Sequence, residues 1–135
     1  MSALRTAIYN KFKADSNSAL YVDLGGTRFY YYEAIQNPTS PYCVFHFPDE
    51  GYDFEFTERF EDTMVQFDYF SDKQSPNDCD KGIADIKSMY DFTSLTVTGD
   101  AFLKMERIFT LPPFKVQPNN VWQGVVRYSA LVQTV

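Results

Sequence analysis

The chain has one histidine, His46, and two cysteines, Cys43 and Cys79, and most side-chain chemistry would have to be built from these. A Ser-His-Asp triad would need His46 as its base. His46 lies inside Y-C-V-F-H-F, an apolar run with no nucleophile motif beside it, and reads as a strand histidine that is hydrogen-bonded or half exposed. Cys43, His46 and Cys79 offer three soft metal ligands, but no C-x-x-C or H-x₃-H pair brings two of them to one turn. Cys79 falls in the first turn of a predicted helix, where the dipole lowers a thiol pKa. Asp78 and Asp80 flank it and oppose that effect, so it reads as an inert core thiol. Gly25-Gly26 is followed by no Lys-Ser/Thr, and reads as a hairpin turn rather than a phosphate loop.

Carboxylates are the other reactive groups. Seven of the 18 acids (Asp49, Glu50, Asp53, Glu55, Glu58, Glu61 and Asp62) crowd one segment that holds a single base, Arg59. The net charge of −6 therefore sits there, and the rest of the chain is balanced. A small carboxylate enzyme needs only two acids in register, for which Glu55 and Asp62 are candidates. Because these acids alternate with Tyr52, Phe54 and Phe56, the solvated face of a hairpin is the plainer reading. A third reading places Asp49, Glu50, Asp53, Glu55 and Glu58 on the wall of a channel made by several copies, where like charge keeps a passing polyanion from sticking. No Lys/Arg cluster of the kind that grips duplex DNA is present.

Aromatic residues make up 18% of the chain, more than a domain of this size can bury. Phe54, Phe56, Phe60, Tyr30, Tyr32 and Phe114 are the candidates for surface positions. There they suit a protein interface, although tyrosines that merely keep their hydroxyls wet are an equal reading.

The elements that must position these residues follow from periodicity. Ser2 to Ala14 reads as a helix, with Leu4, Ile8 and Phe12 on one face and Ser2 as N-cap. Ala19 to Val22 reads as a short strand, Gly25-Gly26 as its turn, and Arg28 to Glu33 as a second strand. Tyr42 to Phe47 is a strand, and the acidic segment is the tip and arms of a long hairpin leading to Phe60–Phe70. In that last strand Val65, Phe67 and Tyr69 alternate with Gln66 and Asp68. Ser75 as N-cap and Pro76 at the first helical position open a second helix, with Cys79, Ile83, Ile86 and Tyr90 on one face. Leu95 to Val97 is a short strand or turn, Ala101 to Leu111 a strand broken by Pro112-Pro113, and Val121 to Thr134 the last strand. This order predicts an α+β fold: an antiparallel or mixed β-sheet, two helices on one face, and a long protruding β-hairpin.

At 135 residues the chain, 1–135, reads as a single domain. No apolar run approaches the roughly eighteen residues of a membrane span. M-S-A-L-R-T-A-I-Y does not read as a signal peptide, and two cysteines give no disulfide framework, so a reducing compartment is expected.

Laid out in this way, the chain resembles the small tail-terminator and tail-completion proteins of long-tailed bacteriophages. The resemblance is carried by the helix L-R-T-A-I-Y-N-K-F, the entry P-T-S-P-Y-C-V-F-H-F, the strand T-M-V-Q-F-D-Y-F with S-P-N-D-C-D-K-G-I-A-D-I behind it, and the closing V-W-Q-G-V-V-R-Y-S-A-L-V. It implies a virion protein that forms a ring, commonly a hexamer, at the head-proximal end of the tail tube. Such a ring caps tube polymerisation and joins the tube protein to the head connector, with DNA passing through its lumen without specific binding. It implies no catalytic residue, cofactor or metal. A head-completion or connector ring is the sister reading. A small carboxylate enzyme and a monomeric adaptor anchored by Phe54 and Phe56 are the alternatives outside the virion.

Overall fold

A computed structural model describes the backbone of residues 2–36, 38–48, 60–93, 95, 100–116 and 121–134, with side chains at all of these but 2, 3, 60–62, 100–104 and 132–134. The elements in chain order are α1 (Ser2–Ala14), α2 (Ala19–Asp23), β1 (Phe29–Tyr31), β2 (Tyr42–His46), β3 (Phe60–Ser71), α3 (Asn77–Tyr90), β4 (Asp100–Val116) and β5 (Val121–Thr134). The strands form one sheet in the order β1-β2-β3-β5-β4. β1 pairs parallel with β2, and every other pairing is antiparallel. The class is α+β with a mixed sheet, and no helix among the described residues is long and apolar enough to cross a membrane.

Alternation along the strands divides the sheet into two faces. Cys43, Phe45, Val65, Phe67, Tyr69, Val126, Tyr128 and Ala130 are buried under the helices. The stripe predicted for α1 reaches them through Phe12, which stacks on Phe29 at 4.4 Å, and Phe29 in turn stacks on Phe45. The Tyr90 hydroxyl at the end of α3 donates to the Ile8 carbonyl at 2.9 Å, which ties the two long helices together inside the core. The other face carries no helix among the described residues.

α3 lies very close to the strands, and two glycines make this possible. A Cβ on Gly82 would sit 2.3 Å from the Tyr69 ring, and one on Gly124 would sit 2.4 Å from Ile83 Cδ1. The backbone of α3 at Gly82 therefore rests directly on the Tyr69 ring, and the Ile83 side chain rests directly on the β5 backbone at Gly124.

Several local expectations are corrected. Ala19–Val22 is helical, not a strand: Ser18 Oγ accepts the Tyr21 N–H at 3.2 Å as an N-cap, and Leu20 and Leu24 bury one helical face. Gly25 and Gly26, at φ +63° and +75°, stop that helix rather than turn a hairpin, and the Gly26 N–H reaches back to the Tyr21 carbonyl at 2.9 Å. Pro76, not Ser75, stands at the N-cap of α3, while Ser75 Oγ accepts the Asn77 N–H just outside. β4 runs through Pro112-Pro113, because the strand lies at the sheet edge and a register shift between Leu111 and Phe114 absorbs them. The Leu95–Val97 expectation lies largely outside the described residues. The acidic segment expected to form the tip and arms of the long hairpin does as well; the strands on either side of it pair antiparallel, Tyr42–His46 with Gln66–Phe70.

Gly82→Ala tests the close approach. Overpacking costs about 1–3 kcal/mol, and a 2.3 Å approach to a buried ring puts this site in the upper half of that range. The gain in helix propensity returns about 1 kcal/mol, so a net loss of about 1–2 kcal/mol is expected in urea unfolding. Gly124→Ala should cost less, since the free end of Ile83 can move and the Tyr69 ring cannot. A Gly82→Ala protein as stable as the parent would contradict this packing.

Candidate interaction surfaces on the sheet

On the open face a polar ladder crosses β2, β3 and β5. Register sets His46 beside Gln66, Gln66 beside Arg127, and Phe70 beside Gln123. Arg127 Nε donates to Gln66 Oε1 at 3.1 Å. Gln66 Nε2 and Gln123 Nε2 both donate to Asp68 Oδ1, at 3.0 and 3.2 Å. His46 Nδ1 stands 3.6 Å from Asp68 Oδ2. Asp68 is only 7% exposed although no described helix covers it, and Val44 and Val125 flank it on the neighbouring strands. Burial pushes its carboxyl above the ordinary value of 3.8, and the two amides, His46 and Arg127 oppose the rise.

Beside this ladder lies a depression of about 500 Å³ lined by Tyr32, Glu33, Tyr42, His46, Asp68 and Phe70, with Val44 at its base. Tyr42 stacks on Phe70 at 4.9 Å, and Tyr30 meets Tyr42 edge-on at 6.3 Å. Tyr32 has φ +72°, is 59% exposed, and holds its place by an N–H bond to the Phe45 carbonyl at 2.8 Å. The sheet thus brings together two of the predicted surface aromatics, Tyr30 and Tyr32. Phe114 is also exposed, but it lies across the sheet opposite Gln123. Phe60 pairs with Gln133 through its backbone. Phe54, Phe56, Asp49, Glu50, Asp53, Glu55 and Glu58 lie outside the described residues.

The second surface is the β4 edge. β5 pairs with one side of this strand, and no described strand pairs with the other. Ile108, Phe109, Leu111 and Phe114 are large, apolar and exposed along it. The alternation of faces along this strand breaks at a register shift between Arg107 and Phe109. Arg107 still faces α3 and pairs with Asp91, whereas Phe109 turns to the open face and takes the Arg127 guanidinium over its ring at 4.9 Å.

The sheet also separates the residues from which metal or nucleophile chemistry might be assembled. Cys43 and Cys79 are free and buried on the helix side, while His46 is on the open face. Burial raises the Cys79 thiol to about 12, with Asp80 adding to the effect. Its Sγ donates to the Tyr69 carbonyl at 3.7 Å. Among the described residues no three His, Cys, Asp or Glu side chains converge as a metal site requires.

A further carboxylate cluster joins α2 to α3. Lys81 Nζ lies 2.6 Å from Asp23 Oδ2 and 3.3 Å from Asp85 Oδ2. Burial and the facing Asp23 carboxyl push Asp85 up to about 6, and Asp23 is held below its usual value by hydrogen bonds from Asp85 and Lys81.

The missed residues are Gln66, Asp68, Gln123 and Arg127. Their signal was polar alternation in β3 and β5, but it becomes a site only when the register aligns them.

No family model matches the sequence, and no curated protein resembles it significantly. Solved structures do share the fold. One is a chain from the virion of a native gene transfer agent particle, which superposes with a TM-score of 0.78 at 14% identity and covers 98% of this chain and 96% of that one. A second solved chain, known only by a sequence identifier, superposes with a TM-score of 0.68 at 9% identity, over 99% of this chain and 96% of that one.

The Asp85 pair gives a pH prediction. Its folded pKa lies above the ordinary 3.8, so the protonated carboxyl stabilises the fold at low pH, and that contribution is lost as pH rises through about 6. Asp23 acts oppositely: its contribution is complete above about pH 4 and is lost as pH falls from 3.8 through its depressed pKa, so the window from about pH 4 to pH 7 belongs to Asp85. Asp85→Asn should therefore narrow the difference in Tm between pH 5 and pH 8. An unchanged difference would mean that the Asp85 carboxyl is not raised in the folded protein.

Proposed function

We propose that the protein is a structural component of a phage-like virion, and that it acts as a tail terminator. In this reading copies close into a ring, commonly of six, on the head-proximal end of the tail tube. The ring stops tube growth and presents a face to the head connector, and DNA passes through the hole. The observation that carries the reading is the near full-length match in fold to a chain of the gene transfer agent virion. The sequence resemblance to tail terminators points the same way. A ring protomer also needs two different contact surfaces, and the β4 edge, which pairs with no described strand and carries apolar residues, supplies one of suitable chemistry.

The acidic segment 49–62 suits the lumen in this proposal, because its charge would keep DNA from adhering. Phe54, Phe56, Phe60, Tyr30, Tyr32 and Phe114 are assigned to contacts between subunits or with the tube and connector. Glycosidase-like chemistry is disfavoured at Asp68, since one of its oxygens is already occupied by two side-chain amides and the depression beside it is broad.

Light scattering during size exclusion, alone and with tube protein, tests the ring. The expected species is several times 15.6 kDa. Ile108→Lys with Leu111→Lys should reduce it to a monomer while changing stability by no more than about 0.5 kcal/mol per exposed site. A protein that stays monomeric in the presence of the tube would overturn the proposal. Electron microscopy of particles lacking the protein separates the sister roles: overlong tubes are expected of a missing terminator, separate heads with normal tails of a missing connector.

A further inference from the structure

The depression on the open face has the composition of a receptor for a planar cation. Its walls include Tyr32, Tyr42 and Phe70, and two carboxylates, Glu33 and Asp68, reach it. Asp68 is held rigidly, because Gln66 and Gln123 both donate to Oδ1. Its other oxygen, Oδ2, faces His46 Nδ1 at 3.6 Å, longer than a hydrogen bond. A buried carboxylate fixed on one side, with the second oxygen under-used beside aromatic rings, matches a guanidinium. Such a group donates in a fork to carboxylate and stacks on rings. The chain already uses that chemistry internally, with Arg5 over Tyr31 and Arg127 over Phe109, each at 4.9 Å.

The geometry points to this depression as a docking site for an arginine side chain of a different protein. A second copy of this chain is a poor source of that arginine. Arg28 donates to the Asp23 and Pro41 carbonyls, Arg107 pairs with Asp91, Arg127 donates to Gln66, and Arg5 lies on Tyr31. The fifth arginine, Arg59, belongs to the acidic segment. The depression itself presents two carboxylates, Glu33 and Asp68, to a basic partner. This assignment stands whether or not the protein forms a ring, since it needs only one folded protomer.

The test is an NMR titration of the ¹⁵N-labelled protein with a capped Gly-Arg-Gly peptide and, as control, a capped Gly-Glu-Gly peptide. Saturable shifts confined to Tyr32, Glu33, Tyr42, His46 and Asp68 are expected with the arginine peptide alone. Asp68→Asn, which keeps the shape of the side chain, should weaken binding about tenfold. Tyr32→Ala should weaken it as well, at an exposed position where folding is not at stake. A response that does not saturate, that survives Asp68→Asn, or that the glutamate peptide reproduces would overturn the assignment. The same shifts appearing without peptide as protein concentration rises would also overturn it, in favour of a second copy as the occupant.

Discussion

The structure depends on how closely α3 lies on β3 and β5. A helix normally stands off a sheet by the length of its side chains, but here Gly82 removes that spacer over Tyr69 and Gly124 removes it under Ile83. The helix sinks, and Cys79, Ile83, Ile86, Met89 and Tyr90 are buried behind it. With α3 placed, the Tyr90 hydroxyl meets the Ile8 carbonyl, the Tyr128 hydroxyl donates to Asp91 at 2.6 Å, and Lys81 reaches Asp23 on α2. The helical layer is thus seated from a single helix outward. Interior packing tolerates little volume change at such a point, so the register of the helix against the sheet is fixed as well as its depth.

That arrangement gives the sheet two unlike faces. The helix side uses its aromatic content as core: Phe12, Phe29, Phe45, Phe67 and Tyr90 follow one another in stacked pairs at 4.4 to 5.1 Å across five elements, apart from a looser contact between Phe45 and Phe67. The open side has no such cover among the described residues, and it buries Asp68 by other means. Val44 and Val125 shield it laterally, and two amides satisfy one of its oxygens. A polar group kept dry in this way is costly unless every partner is in register, which makes the ladder from Arg127 to His46 dependent on the pairing of β2, β3 and β5.

Much of this was legible in the residues. The stripes Leu4-Ile8-Phe12 and Cys79-Ile83-Ile86-Tyr90, and the alternation of Val65-Phe67-Tyr69, pointed to the faces that the fold buries, because each pattern reports one element meeting one core. The errors fell where tertiary context decides. Ala-Leu-Tyr-Val favours a strand by propensity, but Ser18 caps it and Leu20 and Leu24 are drawn into the core at helical spacing. Gly25-Gly26 demanded positive φ, and sequence could not say whether a hairpin or a helix stop would use it. Pro112-Pro113 breaks an inner strand but not an edge, and edge position is a property of the whole sheet.

The site shows the same limit more sharply. Gln66 and Asp68 were visible as the polar side of β3, yet their partners Gln123 and Arg127 lie more than fifty positions away. A one-residue slip of β5 would turn those partners to the helix face and leave Asp68 buried without donors. Function and register are therefore coupled: whatever the open face binds, it can bind only when β3 and β5 pair as they do here. The closing strand does not merely complete the sheet. It supplies the donors that let a carboxylate stay buried on an uncovered face, with one oxygen still turned toward the solvent-filled depression.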